Sequence, residues 1–406
     1  MARIVMKFGG TSSANTRALR LCAKHIAEQL KTGDEVAVVI SAPSGMTAEL
    51  SKRISEIDEK SKHLDEADLV LSSGEQINAG LLVIILREMG LKARSWNGWQ
   101  AGLITDDNHG KARLIEARTD ELCDSLKAGE VAVMTGFQGV TKEGRVTTLG
   151  RGGSDVSAVA LAVALRADRC DIYTDVAGVF TADPAIEKNA KLIHELSPEE
   201  MLELASSGTK VLHNRSVELA MSEQMPLRVL STFNPGKGTI IAQGLETHLV
   251  SGVTYSRDES QISLMGLSGG IDNMQKLFSA LAKKKINIDL VVQSSTRQTD
   301  LSNLVFATSR SDHERALDIV SSDVLSGLYQ NLNSVKEMAK VSVIGLGLRS
   351  QSGMLEIFFR ALADANISMH AMATSELRIS ALIPEHMIES AVKALHFAYG
   401  LDKTLT

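Results

Sequence analysis

The N-terminal segment contains a short apolar run with a lysine near its end, and two glycines follow the run directly. Lys7 lies near the end of that run, which has the composition of a buried strand. Gly9, Gly10 and Thr11 follow, ahead of a helix-compatible stretch from about residue 15 to residue 30. Glycines let backbone N–H groups approach a phosphate, and a helix N-terminus adds partial positive charge. The segment therefore predicts an anion-binding turn, with a purely structural Gly-Gly turn as the alternative.

A second glycine-rich loop contains Arg151, Gly152, Gly153, Ser154 and Asp155 and opens an Ala- and Val-rich helix. A guanidinium beside two glycines at a helix N-terminus is suited to bidentate binding of a carboxylate or a phosphate. The alternative is local, because Ser154 or Asp155 could serve only as the N-cap of the helix.

Three further segments place polar residues at the ends of predicted elements. Residues 173–184 follow a buried strand and form a long polar loop, for which an ordinary Asp/Gly/Pro turn is the alternative. Residues 41–47 end another strand with hydroxyls and a glycine. Residues 72–75 enter an apolar helix, so Glu75 is either a first-turn acid that complements the helix dipole or the partner of a substrate ammonium. Lys210 is either a further phosphate contact or a solvated lysine.

These residue types favour phosphoryl transfer over other chemistries. The histidines are scattered without an H-x-x-x-H pair, and nothing indicates a Ser-His-Asp triad or a dedicated metal cage. Lysine, arginine and glycine-rich turns without a nucleophile suit phosphoryl transfer, because positioning and charge stabilisation supply most of its catalysis.

Composition restricts the class of protein that carries these loops. The chain has 406 residues, 44% apolar and 23% charged, as expected for a soluble globular protein of two or three domains. A net charge of −6 and only 4% aromatic residues argue against a nucleic-acid binder. The three cysteines are far apart, which fits a reducing compartment. No apolar run approaches the roughly 18 residues of a membrane span, so a soluble cytoplasmic protein is predicted.

Strand and helix patterns alternate over residues 1 to about 240. Buried strands are predicted at 36–40, 131–135 and 172–174, and helices at 69–86, 156–165 and 198–206. This alternation predicts an α/β architecture with a mainly parallel sheet, whose ligands bind at the carboxyl ends of the strands. The glycine-rich loops lie at those ends.

The pattern changes near residue 240. Residues 244–261 are polar and weakly periodic, and a domain boundary is predicted there. Beyond it, segments 262–267 and 341–346 resemble each other at a separation of about 79 residues. Each precedes a loop, an amphipathic helix and a second strand, beginning at Lys285 and Asn366. Two copies of a small βαββαβ unit are predicted.

Together these motifs resemble those of the aspartate kinases, which belong to the amino-acid kinase superfamily. The resemblance is carried by residues 7–12, 72–75, 151–155 and 173–184, and the C-terminal repeat resembles tandem ACT regulatory domains. It covers essentially the whole chain and implies a kinase domain at 1–245 and ACT domains at 260–335 and 340–406. Acetylglutamate and glutamate kinases share the fold but lack the ACT tail. A catalytically weak amino-acid sensor is a further alternative.

The resemblance implies transfer of the ATP γ-phosphoryl group to the side-chain carboxylate of L-aspartate, the committed step towards lysine, threonine and methionine. Lys7 would stabilise charge on the phosphoryl group, and Asp155 would orient catalytic groups around it. The implied aspartate-binding residues are Ser41, Thr47, Glu75, Arg151, Gly152, Gly153 and Ser154. The implied nucleotide-binding residues are Lys7, Gly9, Gly10, Thr11, Thr174, Asp175, Phe180, Asp183 and Lys210. Mg²⁺ would be carried on the nucleotide phosphates, without a metal site in the protein.

The resemblance also implies feedback inhibition by lysine, threonine or both. Because each predicted repeat has a small sheet with an exposed edge, a homodimer or a dimer of dimers is predicted. The implied effector-binding residues are Asn287, Ile288, Asp289, Gln293, Asn366, Ile367 and Thr374. The chain departs from the family pattern at Ala185, where arginine is common, and in the loop at 41–47. It departs again at residues 269–272, where the family often has Asp-x-Pro-Gly.

Overall fold

A computed structural model describes residues 1–245, 249–295, 301–348 and 351–403. The described chain divides into two compact units. Unit 1 comprises residues 1–179, 192–205 and 210–245. Unit 2 comprises residues 180–191, 206–209 and the described residues from 249 onward.

Residues 1–245 form strands and helices in alternation. The strands are β1 (Arg3–Phe8), β2 (Glu35–Ile40), β3 (Ala93–Trp96), β4 (Leu103–Thr105), β5 (Leu114–Ala117), β6 (Val131–Thr135), β7 (Gln138–Val140), β8 (Val146–Thr148), β9 (Arg169–Thr174), β10 (Glu195–Leu196), β11 (Leu227–Ser231) and β12 (Thr239–Ile241). The helices are α1 (Thr16–Lys31), α2 (Met46–Ile57), α3 (Leu64–Glu88), α4 (Asp120–Lys127), α5 (Gly153–Ala164), α6 (Pro198–Ser206) and α7 (Asn214–Ser222).

The main sheet of unit 1 has the strand order β10-β12-β11-β9-β1-β2-β6-β3, and a smaller sheet has the order β5-β4-β7-β8. Strands β11, β9, β1, β2, β6 and β3 are parallel to one another, so their carboxyl ends share one edge. Helices α1 and α3 pack with Met6 and Phe8 of β1 in one apolar cluster, while α5 lies against β1, β2 and β9. This parallel α/β sheet confirms the predicted fold class of the first part of the chain.

Element positions in unit 1 agree with the predictions more closely for strands than for helices. Strand β6 and helix α6 have the predicted bounds, and β2 and β9 contain the predicted strands. Helix α3 runs five residues further towards the N-terminus than predicted, from Leu64 rather than 69. An 18-residue window of α3 has a mean hydropathy of 1.7 and is half buried, so by length and composition alone this helix could span a membrane. Its polar buried residues, such as Asp68, identify a core helix of unit 1.

Unit 2 contains an antiparallel sheet with the strand order β14-β15-β13-β16-β18-β17. Its strands are β13 (Gly252–Leu267), β14 (Ile288–Ser295), β15 (Ser302–Thr308), β16 (Asn331–Ile344), β17 (Ala371–Thr374) and β18 (Arg378–Pro384). Its helices are α8 (Gly270–Lys283), α9 (His313–Val320), α10 (Met354–Asp364) and α11 (Ile388–Ala398). Helices α8 and α9 cover one apolar cluster, and α10 and α11 cover another.

The two βαββαβ copies of unit 2 are interleaved through β13 and β16. The first residues of β13, Gly252–Ser256, pair with the end of β16, while residues 261–265 of β13 pair with its beginning. The strand that precedes the first copy therefore completes the sheet of the second copy. The polar, weakly periodic segment 244–261 contains the first residues of β13 from Gly252 onward, where register shifts between Ser256 and Gln261 interrupt the strand period. Residues 246–248 lie outside the described residues.

Backbone conformations repeat between the two copies. Gly269 precedes α8 and Gly353 precedes α10, both in the left-handed region with φ of 71° and 104°. Lys285 and Asn366 follow these helices with φ of 57° and 52°. The altered loop at 269–272 thus keeps the N-cap conformation of its counterpart. The second strands begin a few residues later than predicted, at Ile288 and Ala371.

Candidate active site

Lys7 and Asp155 form a buried ion pair where β1 meets α5. Side chains alternate along a strand, so Lys7 points to the sheet face opposite to Met6 and Phe8. Its Nζ lies 2.5 Å from Oδ1 of Asp155, and the two side chains are 11% and 12% exposed. The pair lies at the edge of the sheet formed by carboxyl ends of parallel strands, where ligands bind in this class of fold.

The glycine turn after β1 is fixed between the ends of two neighbouring strands. The N–H of Gly9 donates to the carbonyl oxygen of Tyr173 at 3.2 Å, at the end of β9. A Cβ on Gly9 would lie 3.4 Å from Lys7 Nζ, and a Cβ on Gly10 would lie 3.1 Å from the carbonyl oxygen of Ala42. Side chains at either position would therefore crowd the lysine and the loop after β2. Glycine at both positions lets the turn pack closely against Lys7 and the loop after β2.

Helix α1 begins later than an anion-binding turn of the P-loop type would require. Its N-cap is Asn15, whose Oδ1 accepts a hydrogen bond from the N–H of Ala18 at 3.0 Å. Thr11 is exposed and Ser12 and Ser13 are buried in the turn between Gly10 and this cap. The helix N-terminus therefore follows the glycines by several residues, and the glycine turn does not open the helix directly.

The Arg151 turn is built by two glycines in the left-handed region. Gly150 has φ 72° and Gly152 has φ 69°, and α5 begins at Gly153. Gly152 is the N-cap without a side-chain hydrogen bond, so the alternative in which Ser154 or Asp155 caps the helix was wrong. Both residues lie in the first turn of α5, which brings Asp155 to Lys7.

The neighbours of this turn leave its arginine exposed while Ser154 packs inward. Arg151 is exposed, and Gly153 is buried. A Cβ on Gly136, which follows β6, would lie 2.9 Å from the Cβ of Ser154. Ser154 therefore stands against the carboxyl end of β6, on the same edge of the sheet as the Lys7–Asp155 pair.

Glu75 lies inside α3 rather than at its start, so its interpretation as a first-turn acid was wrong. The Ser72 and Ser73 hydroxyls donate to carbonyl oxygens three residues earlier, which lets the serines stay within the helix. Gly74 allows close packing, because a Cβ there would lie 2.8 Å from the Cβ of Ala42. The sequence Ser-Ser-Gly looked like a helix boundary, and tertiary packing overrides that local preference.

The Glu75 carboxyl group is buried with only one of its oxygens bonded. The residue is 3% exposed, and Oε1 accepts a hydrogen bond from the N–H of Ala42 at 3.1 Å. Its Oε2 is buried and has no hydrogen-bond partner among the described residues. Burial raises the pKa of Glu75 from 4.5 to about 7, against the smaller opposing effect of the Ala42 hydrogen bond. A buried carboxyl with a free oxygen is suited to accept a cationic or hydrogen-bond-donating group.

Asn78 is a site residue that the motifs did not single out. Its Nδ2 donates to the carbonyl oxygen of Ser13 at 3.1 Å and to that of Ser41 at 2.9 Å. It therefore joins the turn after β1 to the end of β2. The clue was available in the sequence, because Asn78 lies three residues after Glu75 and shares its helix face. Thr47 lies after β2, in the first turn of α2, and is half-buried.

The predicted nucleotide-binding residues are distributed over both units. In unit 1, Thr174 ends β9 and donates to Oδ1 of Asp175 at 3.0 Å, and Lys210 is exposed. In unit 2, Asp183 Oδ2 accepts from the hydroxyl of Tyr255 at 2.9 Å and Oδ1 accepts from the N–H of Ala185 at 2.9 Å. Phe180 is half-buried. Ala185, which replaces the common arginine, thus closes a turn on Asp183.

The predicted effector-binding residues lie on the second strand of each copy of unit 2 or just before it. Asp289 forms an ion pair with the buried Lys340, whose Nζ also lies 3.5 Å from Oε1 of Glu259. The carbonyl oxygen of Asn287 accepts from the hydroxyl of Thr308 at 2.9 Å. Ile288 begins β14, Gln293 is exposed on the same strand, and Ile367 is buried after α10.

A cavity of about 500 Å³ lies in the second copy, at the turn before α10. Thr374 from β17 lines it together with Ser352 and Gly353 from that turn. Hydroxyl groups and a left-handed glycine at a helix N-terminus provide polar groups for a small ligand. Of the predicted effector set, Thr374 is the residue that lines this cavity.

Comparison with known proteins decides the family. Residues 2–231 match the model of the Amino acid kinase family, and residues 341–399 match an ACT domain. Aspartokinase 2 of Bacillus subtilis (strain 168) is 39% identical over 409 residues, which covers 99% of this chain and 99% of that protein. The chain belongs to the aspartokinase family.

Solved aspartokinase structures agree with this assignment over nearly the whole chain. E. coli aspartokinase III in complex with aspartate and ADP (R-state) has a TM-score of 0.80 at 28% identity, covering 97% of this chain and 99% of that one. The same enzyme in complex with lysine and aspartate (T-state) has a TM-score of 0.73 at 27% identity, covering 97% and 98%.

Aspartokinase membership confirms the family predicted from the motifs around Lys7, Glu75 and Arg151. It also confirms the fold class, an amino-acid kinase domain followed by an ACT domain. The activity of this family is that of an aspartate kinase, which the sequence motifs had predicted over acetylglutamate and glutamate kinases. Regulation through the ACT domain is consistent with this activity.

Proposed function

We propose that the chain transfers the γ-phosphoryl group of ATP to the β-carboxylate of L-aspartate. A carboxylate oxygen forms a bond to the γ-phosphorus while the bond from that phosphorus to the bridging oxygen breaks. The products are 4-phospho-L-aspartate and ADP. The observation that carries this proposal is the buried Lys7–Asp155 ion pair, with 2.5 Å between Nζ and Oδ1, beside the Gly9–Gly10 turn.

Lys7 would stabilise negative charge on the phosphoryl group as it moves between oxygens. Asp155 holds the ammonium of Lys7 at a fixed position, so no reorganisation is needed when charge develops. The turn at Gly9 and Gly10 lies beside Lys7, and it would bring phosphate oxygens close to backbone N–H groups. Thr11, Thr174, Asp175, Phe180, Asp183 and Lys210 stay predicted nucleotide contacts.

Aspartate would be bound by opposite charges at its two ends. Arg151, exposed on its glycine turn, would bind a carboxylate, and the unpaired Oε2 of Glu75 would accept from the α-ammonium. Ser41, Thr47, Gly152, Gly153 and Ser154 are proposed to line the same site. The attacking carboxylate is ionised near neutral pH, so the reaction needs no general base.

The residues of the chain fit a magnesium ion that is bound through the nucleotide. Among the described residues no group of three or more His, Cys, Asp or Glu side chains is placed to hold a metal ion. Mg²⁺ takes most of its ligands from water and substrate phosphates in such sites, and it would neutralise phosphate charge. Asp155 is engaged with Lys7, so its role towards the ion would be indirect.

We propose that the enzyme is cytoplasmic and that lysine, threonine or both together are its feedback inhibitors. E. coli aspartokinase III has been solved in complex with lysine and aspartate in a T-state. The cavity beside Thr374 and the acidic Asp289 of the first copy are the features that favour amino-acid binding in unit 2. Asn287, Ile288, Gln293, Asn366 and Ile367 complete the proposed effector set.

A homodimer, or a dimer of dimers, is proposed through the sheet of unit 2. Strands β14 and β17 end that sheet and contact each other, and strand edges that stay exposed are usually paired or covered. Closed twofold symmetry is the commonest arrangement of homo-oligomers.

A hydroxamate assay tests the proposed reaction. Hydroxylamine traps an acyl phosphate as a coloured hydroxamate, so product is expected with ATP, Mg²⁺ and L-aspartate together. N-acetylglutamate and glutamate should give none under the same conditions. Hydroxamate with glutamate but not with aspartate would contradict the proposal.

A further inference from the structure

One buried face of α3 carries polar residues that contact separate loops of unit 1. Asp68, Ser72, Glu75 and Asn78 follow one another at intervals of three or four residues, which places them on one face, and all four are buried. Glu75 and Asn78 contact the loops after β1 and β2. The backbone oxygen of Ser72 accepts from Nε2 of Gln138 at 2.9 Å, at the start of β7. The proposed reaction uses Glu75 of this face and gives no role to Asp68.

Asp68 is 1% exposed and accepts hydrogen bonds from three different residues. Its Oδ2 lies 2.8 Å from Nδ1 of His109, and its Oδ1 lies 2.5 Å from the hydroxyl of Thr148. The N–H of Gly110 donates to both oxygens, at 3.1 and 3.0 Å. Because a carboxylate only accepts, Nδ1 is the protonated nitrogen of the His109 ring. Asp68 therefore ties the loop containing His109 and Gly110 to α3 and to the end of β8.

This loop forms one wall of the turn that carries Arg151. A Cβ on Gly150 would lie 3.1 Å from the carbonyl oxygen of Gly110, so the two backbones are in close contact. On the other side of the turn, a Cβ on Gly152 would lie 2.3 Å from the ring of His213. The turn therefore lies between the backbone of Gly110 and the ring of His213, and Asp68 is hydrogen-bonded to Gly110.

A second set of bonds shows that this wall and the turn are one packed structure. Arg215 of α7 donates from Nη1 to the carbonyl oxygen of Leu149 at 2.5 Å and from Nη2 to that of Ala112 at 3.3 Å. The N–H of Ala112 donates to the carbonyl oxygen of Thr148 at 2.9 Å. The loop after His109 is thereby linked to the residues immediately before Gly150.

We propose that Asp68 and His109 are positioning residues that fix Arg151 for the aspartate carboxylate. They touch no substrate themselves. The inference rests on the proposed role of Arg151 in binding aspartate, and it adds the elements that set the place of that guanidinium. Arg151 itself is exposed, so its position depends on the two walls of its turn.

Loss of the Asp68 contacts should affect aspartate more than ATP. A misplacement of about 1 Å in a substrate-positioning group costs up to about 100-fold in catalytic efficiency. Because one wall remains in place, we expect the KM for aspartate to rise about 10-fold. The KM for ATP should stay within about twofold, since the glycine turn after β1 is held by Asn78 and Tyr173 instead.

The test compares two substitutions of His109, whose side chain is only 17% exposed. His109→Leu removes the donor to Asp68, whereas His109→Asn keeps a donor near the position of Nδ1. The leucine variant should show the raised KM for aspartate, and the asparagine variant should restore it. Asp68→Asn should raise the KM for aspartate as the leucine variant does. The NH₂ group of the asparagine amide cannot accept a hydrogen bond from the N–H of Gly110, which donates to both oxygens of Asp68. Thermal unfolding of each variant shows whether it is folded.

Asp65→Asn is the matched control. Asp65 lies one helical turn before Asp68, with a side chain 45% exposed and paired to Arg145, and its substitution should leave both KM values unchanged. An unchanged KM for aspartate in folded His109→Leu would overturn the inference. Equal rises in both KM values would also overturn it, because they would indicate a general loss of structure.

A double-mutant cycle with Arg151→Ala separates the inference from the proposed function. If Asp68 and His109 act through Arg151, His109→Leu should add no further rise in the KM for aspartate to the Arg151→Ala variant. Additive effects would overturn the inference and leave the role of Arg151 intact. An unchanged KM for aspartate in Arg151→Ala alone would instead contradict the proposed role of Arg151.

Discussion

Replacing Glu75 with glutamine should stabilise the protein while weakening aspartate binding. Burial raises the pKa of Glu75 from 4.5 to about 7. One pKa unit corresponds to about 1.4 kcal/mol, so the ionised carboxylate costs the folded state about 3 kcal/mol in the absence of substrate. Glutamine keeps the oxygen that accepts from Ala42 but removes this charge.

The pH dependence of stability follows from the direction of this shift. Between about pH 4.5 and pH 7 the folded protein keeps a proton on Glu75 that the unfolded chain has already lost. The stability contributed by the protonated carboxyl is therefore lost as pH rises through this window. Glu75→Gln should unfold at higher urea concentration than the parent at about pH 8, with a difference that disappears near pH 4.

Aspartate binding should show the opposite preference for the charged form. The α-ammonium of aspartate would pair with ionised Glu75, so the parent KM for aspartate should fall as pH rises from about 6 to 8. A hydrogen bond to a charged group contributes about 1.5–3 kcal/mol, so Glu75→Gln should raise this KM about 10- to 100-fold at pH 8. The KM for ATP should change little.

Steady-state kinetics and urea unfolding at several pH values test both effects in one variant. Glu66→Gln is the control, because Glu66 lies in the first turn of the same helix with a side chain 61% exposed. It should change neither quantity. The reasoning is refuted if Glu75→Gln leaves both KM values at parental levels, or if its KM for aspartate keeps the pH dependence of the parent.

Three further outcomes are expected. Lys7→Ala should lower turnover about 10³-fold, because Lys7 would stabilise transition-state charge in a buried site. Lys31 is exposed, so Lys31→Ala should leave turnover unchanged. Near-normal turnover in Lys7→Ala would exclude Lys7 from the mechanism. Millimolar lysine plus threonine should inhibit, with a coupling of about 1–3 kcal/mol, and equal activity with and without both would exclude that regulation. Light scattering should give at least twice the 43.6 kDa chain mass, and a monomer at micromolar concentration, with or without effector, would contradict self-assembly through unit 2.

The sequence predicted best what local residue types determine. Lys7 at the end of a strand and Arg151 between glycines are local patterns, and the structure places both at the carboxyl edge of the sheet. The strands were located well because buried parallel strands are continuous apolar runs. The same local approach misplaced Glu75, since Ser72, Ser73 and Gly74 resemble a helix start.

What the sequence did not indicate depends on contacts between distant residues. Asn78 reaches Ser13 and Ser41, and Asp68 reaches His109 and Thr148, across 37 to 80 positions of the chain. No spacing rule identifies such pairs. Of β13, only residues 262–267 were recognised as a strand, because the register shifts before them break the alternation on which strand prediction depends.

The polar face of α3 also explains why Glu75 differs from its neighbours. A buried polar group is costly unless it is hydrogen-bonded, and Asp68, Ser72 and Asn78 are bonded to loops or to their own helix. On this face, Oε2 of Glu75 is the side-chain oxygen that is buried without a partner among the residues the structure describes. A helix that satisfies its other buried polar groups and leaves one carboxylate oxygen open is expected where a ligand supplies the missing donor. Helix α3 thus holds the loops of the site in place and carries Glu75, the group that would bind the α-ammonium of the substrate.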